Sequence, residues 1–181
     1  MSALKSFALL STLPFLALGA TRRAAARNFI FYGYSDQFGG SPLIYSDGYA
    51  YVGSIDATNT TDAAIVNFTS TTNNEWLGSP NVTVPGHTSS WSNATFFIPT
   101  ADDSDKRVGF LTSNSTIDGK AISGFRLYGS MAAFVTDDGQ LVSAWTGLQV
   151  SQNLHRLYWN DTSLGQIPVT LTTVAPSNPS N

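Results

Sequence analysis

Residues 43–53 read LIYSDGYAYVG, from Leu43 to Gly53. Two apolar runs flank Asp47-Gly48. A type I′ turn needs positive φ at both central residues, which Asp tolerates and Gly prefers. The pair therefore predicts a two-residue β-hairpin. Folding it sets Ser46 against Tyr49, Tyr45 against Ala50, Ile44 against Tyr51 and Leu43 against Val52. Directly opposed residues share a face. One face then carries Leu43, Tyr45, Ala50 and Val52, and the other carries Ile44, Ser46, Tyr49 and Tyr51. Neither face is polar, so the hairpin is expected in the middle of the fold, covered on both sides. Tyr45 belongs with the aliphatic face. Tyr49 and Tyr51 lie two residues apart, a spacing that suits core packing or a ledge of rings for a ligand.

The same pattern recurs down the chain. Short β-branched and aromatic runs alternate with clusters of Gly, Asn, Asp, Ser and Pro, and helical periodicity is nearly absent after residue 20. Strands are expected at 28–34, 43–46, 49–54, 63–69, 81–84, 94–98, 107–112, 121–128, 131–136, 140–146, 154–159 and 167–174. Residues 147–159 are also compatible with a helical turn. Asp118-Gly119 and Asp138-Gly139 are two further Asp-Gly pairs; the last, in FVTDDGQLVSAW, has surroundings like those of Asp47-Gly48 and reads as a recurrent hairpin. The expected fold is all-β: a single-domain, two-sheet antiparallel β-sandwich over 28–174, jelly-roll or Ig-like, with a flexible tail at 175–181.

Residues 1–20 have the layout of a secretory signal peptide: Lys5, an apolar run from Phe7 to Leu18, and small residues at Ala17, Gly19 and Ala20. The run is too short to span a bilayer. Residues 21–27 form a short pro-segment or linker, in which Arg22-Arg23 reads either as a dibasic processing site or as two surface arginines. The expected setting is extracellular, with the cell wall as one location. The chain has no cysteine, which excludes thiolate metal sites and cysteine nucleophiles. Its formal net charge of −3 comes without a basic run, so nucleic acid and anionic membrane are not expected partners. No terminal apolar segment signals a lipid anchor.

Six Asn-x-Ser/Thr sequons, at Asn59, Asn67, Asn81, Asn93, Asn114 and Asn160, predict N-glycosylation. A glycan cannot enter a core, so each asparagine fixes the facing of its strand. Asn67 outward puts Val66 and Phe68 inward. Asn81 outward puts Val82 and Val84 inward. Asn93 outward puts Ala94, Phe96 and Ile98 inward. Five of the six sequons fall within 59–116, so the middle of the chain is expected to present a glycan-covered surface.

Catalytic signals are sparse. There is no Gly-x-Ser-x-Gly elbow. The two histidines, His87 and His155, lack motif partners. Glycoside hydrolysis ordinarily uses two carboxylates, and Glu75 is the one glutamate. Asp102, Asp103 and Asp105 lack the glycine and terminal glutamate of a calcium loop and read as a solvated turn. No catalytic residue, metal or cofactor is therefore assigned. Aromatic rings remain. Trp145 and Trp159 lie in apolar runs and are expected in the core. Trp76 and Trp91 lie in polar contexts, NNEWLGS and HTSSWSN, and join Tyr49 and Tyr51 as candidate ligand contacts. A glycan on Asn93 would crowd Trp91.

The stretches GSPLIYSDGYAYVG and LYWNDTSLGQIPVTL, with the signal peptide, dibasic pair, absent cysteine and many sequons, resemble small secreted proteins of filamentous fungi. The likeness is one of general composition and implies an extracellular or cell-wall setting, without an activity. The reading is a secreted, non-enzymatic glycoprotein that binds polysaccharide or a cell-surface protein through aromatic residues. A carbohydrate-active enzyme on the same fold and a structural coat or host-interaction protein are the alternatives.

Overall fold

The structure, a computed structural model, describes residues 28–81, 88–113 and 115–177. The segment expected as a signal peptide, the arginine pair, the residues following Asn81 in the strand expected at 81–84, His87, Asn114 and the end of the tail lie outside the described residues. The described chain is all-β. Its strands are β1 Asn28–Phe29, β2 Tyr32–Tyr34, β3 Ser41–Ser46, β4 Tyr49–Gly53, β5 Ala64–Ser70, β6 Trp76–Pro80, β7 Ala94–Pro99, β8 Gly109–Leu111, β9 Lys120–Ala121, β10 Phe125–Tyr128, β11 Met131–Val135, β12 Leu141–Val142, β13 Trp145–Ser151, β14 Leu154–Trp159, β15 Ile167–Pro168 and β16 Thr170–Thr172. One 3-10 turn, Ile55–Ala57, follows β4.

The hairpin β3–β4 forms in the register read from the sequence: Leu43 pairs Val52, Ile44 pairs Tyr51, Tyr45 pairs Ala50 and Ser46 pairs Tyr49. Asp47 and Gly48 both take positive φ, 50° and 80°, as a type I′ turn requires. The other two Asp-Gly pairs differ. Gly119 and Gly139 have positive φ, while Asp118 and Asp138 do not. Both turns carry a left-handed glycine. Asp138-Gly139 still joins a hairpin, β11–β12, with Phe134 against Val142 and Val135 against Leu141, whereas Asp118-Gly119 precedes β9, which pairs with β7.

The strands do not divide into two separate sheets. Ladder pairing runs β3–β5–β6–β7–β8–β4 and closes through β3–β4 into a six-stranded antiparallel barrel. Closure removes free edges from these six strands. Short strands join the barrel at β5, which pairs with β1, and at β7, which pairs with β9, while the two longer extensions branch from β3 and β4. β3 shares one edge between two partners: Ser41 and Pro42 pair with β2, whereas Ile44 and Tyr45 pair with β5. β4 does the same, with Tyr49 on β8 and Tyr51–Gly53 on β14. From these forks β2–β16–β11–β10 extend one way and β14–β13–β15 the other. The sandwich expectation gives the all-β class and the facings, but it has twelve strands where sixteen form among the described residues, and it lacks β6. It misses the closure because backbone donors and acceptors are alike in every strand, and local sequence does not say which edges meet.

The facings hold where they are described. Val66 and Phe68 are fully buried, with Asn67 half-buried between them. Ala94, Phe96 and Ile98 are buried behind the exposed Asn93. Residues 147–159 form no helical turn: β13 and β14 are a hairpin over Asn153, which has φ 60°, with a bulge between Gln149 and Ser151. The inner faces of the barrel and its extensions share one aromatic core. Trp76 stacks on Phe125 at 4.8 Å and Trp145 meets Trp159 edge-on at 4.6 Å. The buried Trp145 indole donates to the Ala132 carbonyl at 3.0 Å, as an indole N–H away from water must.

Candidate functional site

The four candidate ring contacts separate on folding. Trp76 opens β6 and is 1% exposed, so it is a core residue. Its context hid the strand. Gly78 and Ser79 interrupt the apolar run, yet Gly78 faces inward, where a Cβ would lie 2.9 Å from both Val66 and Phe110. A residue without a side chain serves as a core position there, which hydrophobicity cannot reveal. Tyr51 is 7% exposed and packs with Ile44, Ala63 and Leu154 in a second small cluster on the outer face of the hairpin, with Tyr49 against it. That cluster covers the second apolar face of β3–β4.

Trp91 lies at the mouth of the barrel. The loop before β7 brings it over the end of β3, where it stacks on Tyr45 with ring centroids 4.1 Å apart. Its indole Nε1–H donates to the Asp62 carbonyl at 2.9 Å. Trp91 is 8% exposed. Tyr45, which the hairpin pattern assigns to the core, is buried and also reaches this mouth.

An open groove of about 790 Å³ runs past these rings along the barrel rim. Tyr45 and Trp91 line it together with Asp62. Thr95 and Leu111, register partners on β7 and β8, line a further part. Ile117 and Ile122 add apolar surface, and Ile117 is 56% exposed. Ser92, Thr112 and Ser113 add hydroxyls. Barrel mouths are common ligand positions, and this volume falls within the ~300–1,000 Å³ of small-molecule sites.

Asp62 is the charged residue of the groove among the described lining residues. Its Oδ1 is buried and has no protein hydrogen-bond partner among the described residues. A carboxylate oxygen in that position lacks the donor that buried acceptors almost always have. Burial first, and then the charge of Asp62, push the Tyr45 phenol above its ordinary value, so it stays a neutral donor and acceptor. The groove thus combines aromatic and aliphatic side chains, hydroxyl-bearing residues and one acidic residue, Asp62. Asp62 could not be singled out from sequence, because Thr-Asp-Ala before a strand reads as an ordinary turn.

Glu75 is not part of this groove. It sits in the turn before β6, where its carboxylate accepts a hydrogen bond from the Thr71 hydroxyl at 3.3 Å. His155 is buried on β14 with its ring 4.4 Å from that of Phe38. Among the sequons, Asn59, Asn93 and Asn160 are exposed, and Asn67 and Asn81 are half-buried. Asn93 also lines the groove. Comparison of the chain with protein-family models, with characterised proteins and with solved structures gives no match.

Proposed function

We propose that this chain is a secreted, N-glycosylated, non-enzymatic protein that binds saccharide in the rim groove. One observation carries the reading: the stacked Tyr45–Trp91 pair and Asp62 line a single concavity with hydroxyl-bearing walls. Sugars present apolar C–H faces beside rows of hydroxyls. Aromatic and aliphatic surface suits the first, and a carboxylate acceptor with Ser and Thr hydroxyls suits the second. Two carboxylates are needed for the usual hydrolytic mechanisms. Asp62 alone stands in the groove among the described lining residues, which favours binding over cleavage.

The proposed setting is extracellular, at or near a cell wall, with polysaccharide as the partner. It rests on the N-terminal pattern and on the exposure of Asn59, Asn93 and Asn160. A glycan on Asn93 would stand at the groove and limit the ligand to one entering from the other side.

The test is retention of the purified chain on insoluble chitin, β-glucan and cellulose, followed by titration with the corresponding oligosaccharides. Binding to one of them that is lost in Asp62→Asn, with folding intact by circular dichroism, supports the reading. Absence of binding to every polymer and oligosaccharide overturns it. Release of reducing ends, abolished in Asp62→Asn, would instead show an enzyme.

A further inference from the structure

The outer face of the β3–β4 hairpin, opposite Tyr45, carries a second arrangement. Tyr51 and Arg156 are register partners on β4 and β14. Arg156 donates to the Tyr51 hydroxyl from Nε at 3.0 Å and from Nη2 at 2.7 Å. These two bonds fix the guanidinium in one orientation. Tyr49 lies two residues along the same face. The guanidinium carbons of Arg107 and Arg156 lie 4.2 Å and 5.5 Å from its ring centroid.

The two arginines are not equivalent. Arg107 is neutralised locally, since its Nε and Nη2 donate to the Asp105 carboxylate at 2.7 Å and 2.6 Å. Arg156 has no such partner. All twelve acidic side chains of the chain are among the described residues, and none stands within ion-pair distance of it. Its Nη1 donors and the Tyr49 hydroxyl have no protein partner among the described residues. Arg156 and Tyr49 are both half-buried. A guanidinium is a planar fork suited to two oxygens of one anion, and partial burial strengthens such charge-assisted bonds.

We propose that Arg156, oriented by Tyr51 and flanked by Tyr49, is a binding site for an oxyanion group on an acidic saccharide. The group is a carboxylate of a uronic acid or a sulfate ester. The oxyanion part stands on this geometry, and the saccharide part rests on the reading of the rim groove. Arg156 supplies the charge and the paired donors, Tyr49 supplies a hydroxyl, and the Asp105–Arg107 pair keeps a second cation from dominating the site.

The full chain is titrated with trigalacturonate, with sulfated dextran oligosaccharide and with neutral dextran oligosaccharide, at low and at physiological salt. At least one charged probe is expected to bind about tenfold more tightly than the neutral one, with an affinity that falls as salt rises. Which charged probe binds identifies the oxyanion. Arg156→Gln is expected to weaken that binding about tenfold, the scale of one charge-assisted contact, while binding at the rim groove is unchanged. Equal affinity for charged and neutral probes, or equal affinity in Arg156→Gln and the native chain, overturns the proposal. If Arg156→Gln does not fold, Tyr49→Phe decides: it removes a hydroxyl with no described protein partner, and an unchanged affinity for the charged probe overturns the proposal. Loss of groove binding in Asp62→Asn with charged-probe binding intact separates the two sites.

Discussion

Trp91 lies nearly flat on Tyr45, with ring centroids 4.1 Å apart and planes 25° from parallel. The two residues are far apart in sequence and meet at the end of the barrel, where the indole N–H also ties the loop to the Asp62 carbonyl. The stack closes the barrel mouth and forms part of the groove above it. Trp91→Ala should cost about 3–5 kcal/mol, as for other buried large-to-small aromatic changes, and should abolish saccharide retention. Trp91→Phe keeps a ring on Tyr45 and removes the indole donor, at about 1 kcal/mol. Denaturant unfolding of the two variants checks the ordering.

Two glycines near the hairpin should respond differently to alanine. Gly48 has φ 80° with open space around its missing Cβ, so Gly48→Ala meets only the left-handed penalty of about 1–2 kcal/mol. Gly53 has φ 149°, and a Cβ there would lie 2.0 Å from the Asn153 carbonyl oxygen. Because that obstacle is backbone, β4 and the β13–β14 turn must separate. Gly53→Ala should cost more than about 3 kcal/mol, beyond the usual range of single changes. Thermal midpoints of the pair test this, and a smaller loss in Gly53→Ala than in Gly48→Ala would contradict the packing described.

Stability should depend on pH through His155. Burial lowers its folded-state pKa below the ordinary 6.5. The unfolded chain therefore takes up a proton before the folded one does, and stability falls with pH in that interval. The contribution is full above 6.5 and is lost as pH falls through the folded-state value. Asp105 is lowered from 3.8 by hydrogen bonds from Arg107, so its loss comes only in stronger acid. Unfolding free energies between pH 7.5 and pH 5 should decline in the native chain and flatten in His155→Gln.

Peptide mapping of the chain expressed in a secreting eukaryotic host should find glycan on Asn59, Asn93 and Asn160, which are exposed. Enzymatic removal of the Asn93 glycan should increase binding at the rim groove, because Asn93 lines it. A bare Asn93 in that preparation would remove the proposed restriction on ligand entry.

The period-two facing of strands was legible in the sequence. Alternation is local, and so the register of Leu43–Gly53, the inward Val66 and Phe68, and the inward Ala94, Phe96 and Ile98 follow from neighbouring residues alone. The all-β class follows from the same pattern. Trp76 was misplaced because Gly78 fills a core position without adding hydrophobicity. The groove was illegible for another reason: Tyr45, Asp62, Trp91 and Leu111 come from four separate segments that only the fold brings together. Tertiary structure also decided that six strands close on themselves, since β3 and β4 each divide an edge between two partners. Backbone hydrogen-bonding groups are chemically identical in every strand. Sequence can therefore set which face of a strand is apolar, while long-range packing sets which edge it joins and what stands at its end.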